Sequence, residues 1–171
     1  MVTDLAAANH YKPEHLKSPE IWKLVEAAQV YYVGGFHLTV SVPSIMALAE
    51  HAAANNKTFI LNLSAPFIPQ FFKDPLDQTA PYWDFLLGNE NEVLAYAESH
   101  GIATKNVAEI AKAIAALPGK KNTSRPRTVV VTQGTDPTIV AIGKDGSDVE
   151  LKEFAVHAIE AEKICDTNGA G

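Results

Sequence analysis

The sequence has a single cysteine, Cys165, among 171 residues, which excludes a disulfide-built scaffold and suits a reducing compartment. No stretch approaches the roughly 20 apolar residues of a membrane span. The start, MVTDLAAANHYKPEHLK, has acids, His and Pro where a secretory signal shows basic residues and then an unbroken apolar run. The expected protein is therefore cytoplasmic, with no membrane partner. Basic residues are also few. Fourteen Lys and Arg stand against twenty Asp and Glu, a formal net charge of −6, and Lys121, Arg125 and Arg127 form the one basic cluster. So weak a positive field gives a phosphate backbone little to bind, and nucleic acid is not an expected partner. What the chain does have is 47% apolar and 20% charged residues, a composition that supports one packed globular core.

Apolar runs of strand length recur at Gln29–Val33, Thr58–Leu63, Trp83–Leu87 and Arg127–Thr132. Between them lie Val42–Asn55, Glu90–His100 and Val107–Leu117, whose apolar residues (Ile110, Ala111, Ile114 and Leu117 in the last) repeat at three-to-four spacing and predict helices. Alternating strands and helices imply a mostly parallel sheet with right-handed crossovers, helices covering it, and a ligand crevice at the carboxyl ends of the strands. Pro137–Ile142 and Lys152–Val156, separated by Gly143-Lys144-Asp145-Gly146, predict an antiparallel hairpin-like ending. The opening VTDLAAA reads as strand-like, and Pro118–Ser124 as a polar surface loop. No linker divides residues 1–171, which read as part of one α/β domain.

Functional residues should follow strands, and four segments do. Gly34-Gly35-Phe36-His37 places two glycines where the backbone could approach a ligand or a neighbouring element. In Asn62-Leu63-Ser64-Ala65-Pro66-Phe67, Ser64 suits a helix cap and Pro66 a first turn, while Phe67 suits either stacking on a planar base or ordinary core packing. Asn89 and Glu92, three apart at a helix start, fit a capping box, a site ordering hydrated Mg²⁺ beside phosphate oxygens, or both. Asp166-Thr167-Asn168-Gly169-Ala170-Gly171 reads as a backbone anion nest or as a flexible tail. His37, His51, His100 and His157 lack the spacing of metal or catalytic sites.

These segments together resemble the adenosine-kinase branch of the ribokinase-like carbohydrate and nucleoside kinases. The resemblance runs from Leu5-Ala6-Ala7-Ala8-Asn9 through Leu61–Phe67, Gly88–Glu92 and Thr132-Gln133-Gly134 to Asp166–Gly171. It implies a ribokinase-like α/β fold, a mostly parallel central sheet flanked by helices, and transfer of the ATP γ-phosphate to the 5′-hydroxyl of adenosine with Mg²⁺ required. By the same resemblance Phe67 stacks on adenine, and Thr3, Leu5 and Asn168 line the nucleoside pocket. Asn89 belongs to the magnesium and phosphate motif, and Glu92 reaches the metal through water. Thr132 and Gly134 border ATP, and Gly169, Ala170 and Gly171 form the anion hole.

The family's catalytic Asp directly follows the last glycine of that turn, and its glycine-rich ribose-binding segment and most of its lid precede the position of Met1. The expectation is that these 171 residues are the central and late part of an incomplete domain, inactive alone. The parent is expected to be a monomer, cytoplasmic and also nuclear. A related sugar or purine-nucleoside kinase, and a non-catalytic α/β remnant with weak nucleotide binding, are the alternative readings.

Overall fold

The computed structural model describes residues 5–143, 148–157, 159, 161–163 and 165. The strand expected over VTDLAAA does not form where it is described. Ala6–His10 is a 3-10 turn, closed by bonds such as Ala8 N–H to the Leu5 carbonyl at 2.9 Å, because the alanine run favours local coiling over extension. Two short helices follow, α1 (Pro13–Leu16) and α2 (Pro19–Ala27), each opened by a proline whose missing N–H would have no intrahelical partner in a first turn.

From there the alternation holds: β1 (Val30–Gly34), α3 (Val42–Ala54), β2 (Thr58–Asn62), α4 (Phe67–Phe71), α5 (Lys73–Thr79), β3 (Phe85–Asn89), α6 (Glu90–Ser99), α7 (Val107–Ala115) and β4 (Arg127–Gln133). The third strand begins two residues later than its apolar run suggests. Trp83 ends a 3-10 turn, donating from its indole to Thr79 Oγ1 at 2.9 Å, and Asp84 turns its carboxylate to buried partners. β5 (Asp136–Gly143) and β6 (Glu150–Phe154) complete one six-stranded sheet in the order β1-β2-β3-β4-β5-β6. β1 to β4 are mutually parallel and the last two strands antiparallel, as the hairpin-like ending predicts.

Parallel strands added in sequence order through right-handed crossovers put their connecting helices on one side of the sheet. That side is the core. Tyr31, Val33, Phe59, Leu61, Leu86, Val129 and Val131 meet Ile45 and Ala49 of α3, Val93 and Tyr96 of α6, and Ile110 and Ile114 of α7, all buried. Removal of each large aliphatic side chain from water contributes about 1.5–3 kcal/mol. The residues alternating with these face the other way and stay partly open. One cross-strand row runs Tyr32, Ile60, Phe85, and a second runs Leu87, Val130, Val140, with Tyr32 59% exposed. Among the described residues, helices therefore cover one face of the sheet and not both.

The segment Pro118–Ser124 is the loop its polarity suggests, with most of its residues exposed, but two of its side chains turn inward. Lys120 and Asn122 are buried, and Lys120 Nζ lies 2.6 Å from Asp84 Oδ1 at the amino ends of the strands. Arg127, counted in the basic cluster, is fully buried and donates to the Leu117 and Ala80 carbonyls. These cations bind the fold together and present no basic patch.

Candidate functional site

Register brings three of the four post-strand segments to one rim. Gly34 pairs with Asn62, Asn62 with Leu87, and Asn89 with Thr132, so the carboxyl ends of β1 to β4 lie along one edge, with β3 running two residues beyond the ends of β1 and β2. Gly35 follows β1 so closely against the β2 exit that a Cβ there would stand 2.7 Å from the Asn62 carbonyl oxygen. This is the close approach for which the paired glycines were singled out, made to a neighbouring element of the chain.

After β2 the chain turns sharply. Ser64 does not cap α4; Pro66 occupies that position, with no side-chain cap bond. The Ser64 hydroxyl instead accepts the Gly35 N–H at 2.9 Å, and Ser64 adopts φ +66°, in the left-handed region. The turn directs Phe67 to the rim, where its half-buried ring lies 5.7 Å from Phe36 and 6.3 Å from Phe72. Phe36 is the aromatic that sequence reasoning passed over. Its signal was its position immediately after the glycine pair.

At the β3 exit the capping box is complete. Asn89 Oδ1 accepts the Glu92 N–H at 2.9 Å, Glu92 Oε2 accepts the Asn89 N–H at 3.0 Å, and Glu92 Oε1 accepts Asn89 Nδ2 at 3.1 Å. Glu92 is buried, and burial pushes its carboxyl above the usual range against the opposing Asn89 bond. Gly88 makes room for it, since a Cβ there would meet Glu92 Oε2 and Leu63 Cδ1 at 3.1 Å.

Thr132 lies in β4 beside Asn89, while Gly134, at φ +60°, opens the tight turn into β5 closed by the Gln133–Asp136 pair. Leu5 sits at the start of the Ala6–His10 turn. The chain from there leans on the rim through Tyr11, whose ring meets His37 edge-on at 5.4 Å. Burial lowers the His37 pKa below its ordinary value. Thr3, Asn168, Gly169, Ala170 and Gly171 lie outside the described residues.

A groove of about 730 Å³ between α4, α6 and residues 102–105 lies apart from these residues, although Pro66 and Asn91 touch its near end. His100 gains a carboxylate partner only in the fold, with Nε2 2.8 Å from Asp77 Oδ1, and this pair ties α6 to α5 away from the rim. No group of three His, Cys, Asp or Glu among the described residues is arranged to hold a metal ion, and no described helix is long and apolar enough to cross a membrane.

The complete chain, residues 1–171, matches the profile of the pfkB family carbohydrate kinases. The chain belongs to the pfkB carbohydrate kinase family. Its curated relatives include adenosine kinase of Schizosaccharomyces pombe, 52% identical over 171 residues, and adenosine kinase 2 of Arabidopsis thaliana, 50% identical. Each alignment takes in 100% of this chain and 48% of the relative. Among solved structures, Anopheles gambiae adenosine kinase in complex with P1,P4-di(adenosine-5) tetraphosphate superposes with a TM-score of 0.92 at 46% identity, covering 98% of this chain and 48% of that one. Schistosoma mansoni adenosine kinase in complex with adenosine superposes with a TM-score of 0.88 at 38% identity, over 99% and 49%. The chain spans about half the length of the curated relatives it matches. Its ribokinase-like α/β fold, a mostly parallel sheet flanked by helices, agrees with the expectation from sequence.

Proposed function

We propose that residues 1–171 are the central and late part of a single kinase domain whose whole protein phosphorylates adenosine. The γ-phosphorus of ATP bonds to the adenosine 5′-oxygen as its bond to the β,γ-bridging oxygen breaks, giving AMP and ADP. The observation that carries this reading is likeness to adenosine kinases over the whole of this chain, together with Phe67 and Phe36 presented side by side at the carboxyl ends of β2 and β1. An aromatic ring held there, at the crevice where α/β folds take their ligands, offers a flat apolar face to a purine.

In this reading Phe67 stacks on adenine, and Thr3, Leu5 and Asn168 line the nucleoside pocket. Thr132 and Gly134 border the nucleotide from the β4 exit. Gly169, Ala170 and Gly171 offer backbone N–H groups to the phosphoryl oxygens as negative charge develops, and a carboxylate following that turn accepts the proton of the attacking hydroxyl. The protein is a cytoplasmic monomer, as the family resemblance implies.

Mg²⁺ supplies neutralisation of phosphate charge when bound. The residues present fit a hydrated ion carried by the nucleotide and not a protein cage. Both Glu92 oxygens already accept one bond from Asn89, each keeps a lone pair for a metal-bound water, and no cluster of ligating side chains accompanies them among the described residues. Glu92 would thus orient water on the ion, with Asn89 fixing the carboxylate.

The test is to incubate the whole protein with ATP, Mg²⁺ and, separately, adenosine, inosine or ribose. AMP formation with adenosine as the preferred acceptor is the expected result, and preferred phosphorylation of ribose would overturn the assignment. Glu92→Gln in the same protein should raise the Mg²⁺ concentration needed for half-maximal turnover while leaving the adenosine KM unchanged. If the variant loses only thermal stability, the capping box is the whole of its role.

A further inference from the structure

We infer that Ser64 is a positioning residue for the nucleoside, acting through the turn it locks and not by touching the ligand. The inference rests on the proposed reaction. Neither Phe67 nor Phe36 has a polar atom in its side chain to fix its orientation, so each ring is set by its packing and by the backbone that carries it. Phe36 immediately follows Gly35, and Phe67 lies just beyond the turn at Ser64.

Past the last β1–β2 pair, Gly34 with Asn62, those two backbones are fastened to one another through the Ser64 hydroxyl. The Gly35 N–H donates to Ser64 Oγ at 2.9 Å across 29 residues of sequence. Ser64 is held in turn by Asn62, whose Oδ1 accepts the Ser64 N–H at 2.9 Å and whose carbonyl accepts the Ser64 hydroxyl at 3.3 Å. Asn62 Nδ2 then donates to the Tyr32 hydroxyl at 2.9 Å, returning the network to β1.

A left-handed backbone is uncommon for any residue with a Cβ, and it persists where the surroundings over-determine it. At Ser64 these bonds do so, and the absence of a Cβ at Gly35 lets the two exits come close enough for them to form. Serine serves two ends here. A glycine would accept the φ value without offering an acceptor to Gly35, and an alanine would do neither.

The experiment uses Ser64→Ala and Ser64→Gly in the whole protein. Loss of the Gly35 bond frees Phe36 relative to Phe67, and the adenosine KM rises about tenfold in both variants. The KM for ATP and the kcat at saturating adenosine stay within about twofold, because the phosphate-side residues sit on other strands. Ser64→Gly removes the hydroxyl while relieving the backbone, so it gives the decisive reading if Ser64→Ala fails to fold. A lowered melting temperature with an unchanged adenosine KM means a purely structural residue and overturns the inference. An unmodified protein that forms no AMP overturns the proposed function and this inference with it, whereas an active protein with an unaltered Ser64→Gly KM overturns this inference alone.

Discussion

Asp84→Ala lowers stability by about 3–5 kcal/mol, the range for removing one partner of a buried ion pair. Asp84 is almost wholly buried at the amino ends of the strands. Its carboxylate accepts the Phe59 N–H at 3.0 Å, meets Lys120 Nζ at 2.6 Å and lies 3.5 Å from Arg125 Nη1. Its backbone bonds both neighbouring strands, from its N–H to the Phe59 carbonyl and from the Thr128 N–H to its own carbonyl. Alanine keeps the backbone bonds and leaves the Lys120 ammonium, whose side chain is 3% exposed, without the Asp84 carboxylate while its bond to the Asn122 carbonyl remains. Burial already pushes that ammonium below its usual pKa with Asp84 in place. Denaturant midpoints of the wild-type and variant proteins measure the loss, and Lys120→Met added to Asp84→Ala should recover part of it by removing a buried charge that has lost its carboxylate. A loss below about 1 kcal/mol, as for an exposed pair, would show that the carboxylate does not hold the loop from Pro118 to Ser124 to the sheet.

Phe67→Ala in the whole protein should weaken adenosine binding by about 1–3 kcal/mol, roughly 5- to 150-fold, the usual contribution of a base stacked on an aromatic ring. Phe67 is half-buried in a cluster with Phe36 and Phe72, and the truncation removes no fully buried ring. Its effect on melting temperature should therefore be smaller than that of the same change at fully buried Phe59. Equilibrium titration with adenosine, alongside thermal melts, separates the two quantities. Unchanged adenosine affinity would remove Phe67 from the purine site and leave it as packing support for Phe36.

The contrast between these two residues shows where sequence reasoning reached and where it stopped. Phe67 could be singled out because it directly follows an apolar run, and the chemistry of an open α/β sheet concentrates at such positions. The Asn89 and Glu92 box was visible for a similar reason, since both partners lie within one helical turn. Asp84 was read as part of a strand, and Lys120 as part of a surface loop. Their pairing spans 36 residues, and nothing local in either segment announces it. Ser64 was assigned to the helix that follows it, a local role, when its hydroxyl is claimed by Gly35, just past the end of β1.

The sequence by itself determined the alternation of strands and helices, the antiparallel ending and the strand exits that carry the candidate site, because apolar periodicity and turn residues act over a few neighbouring positions. The tertiary structure alone decided which buried cation meets Asp84, which aromatic stands beside Phe67, and that the described helices cover only one face of the sheet. Each of these depends on strand order and register, which bring together segments distant in the chain and which no short window of sequence contains.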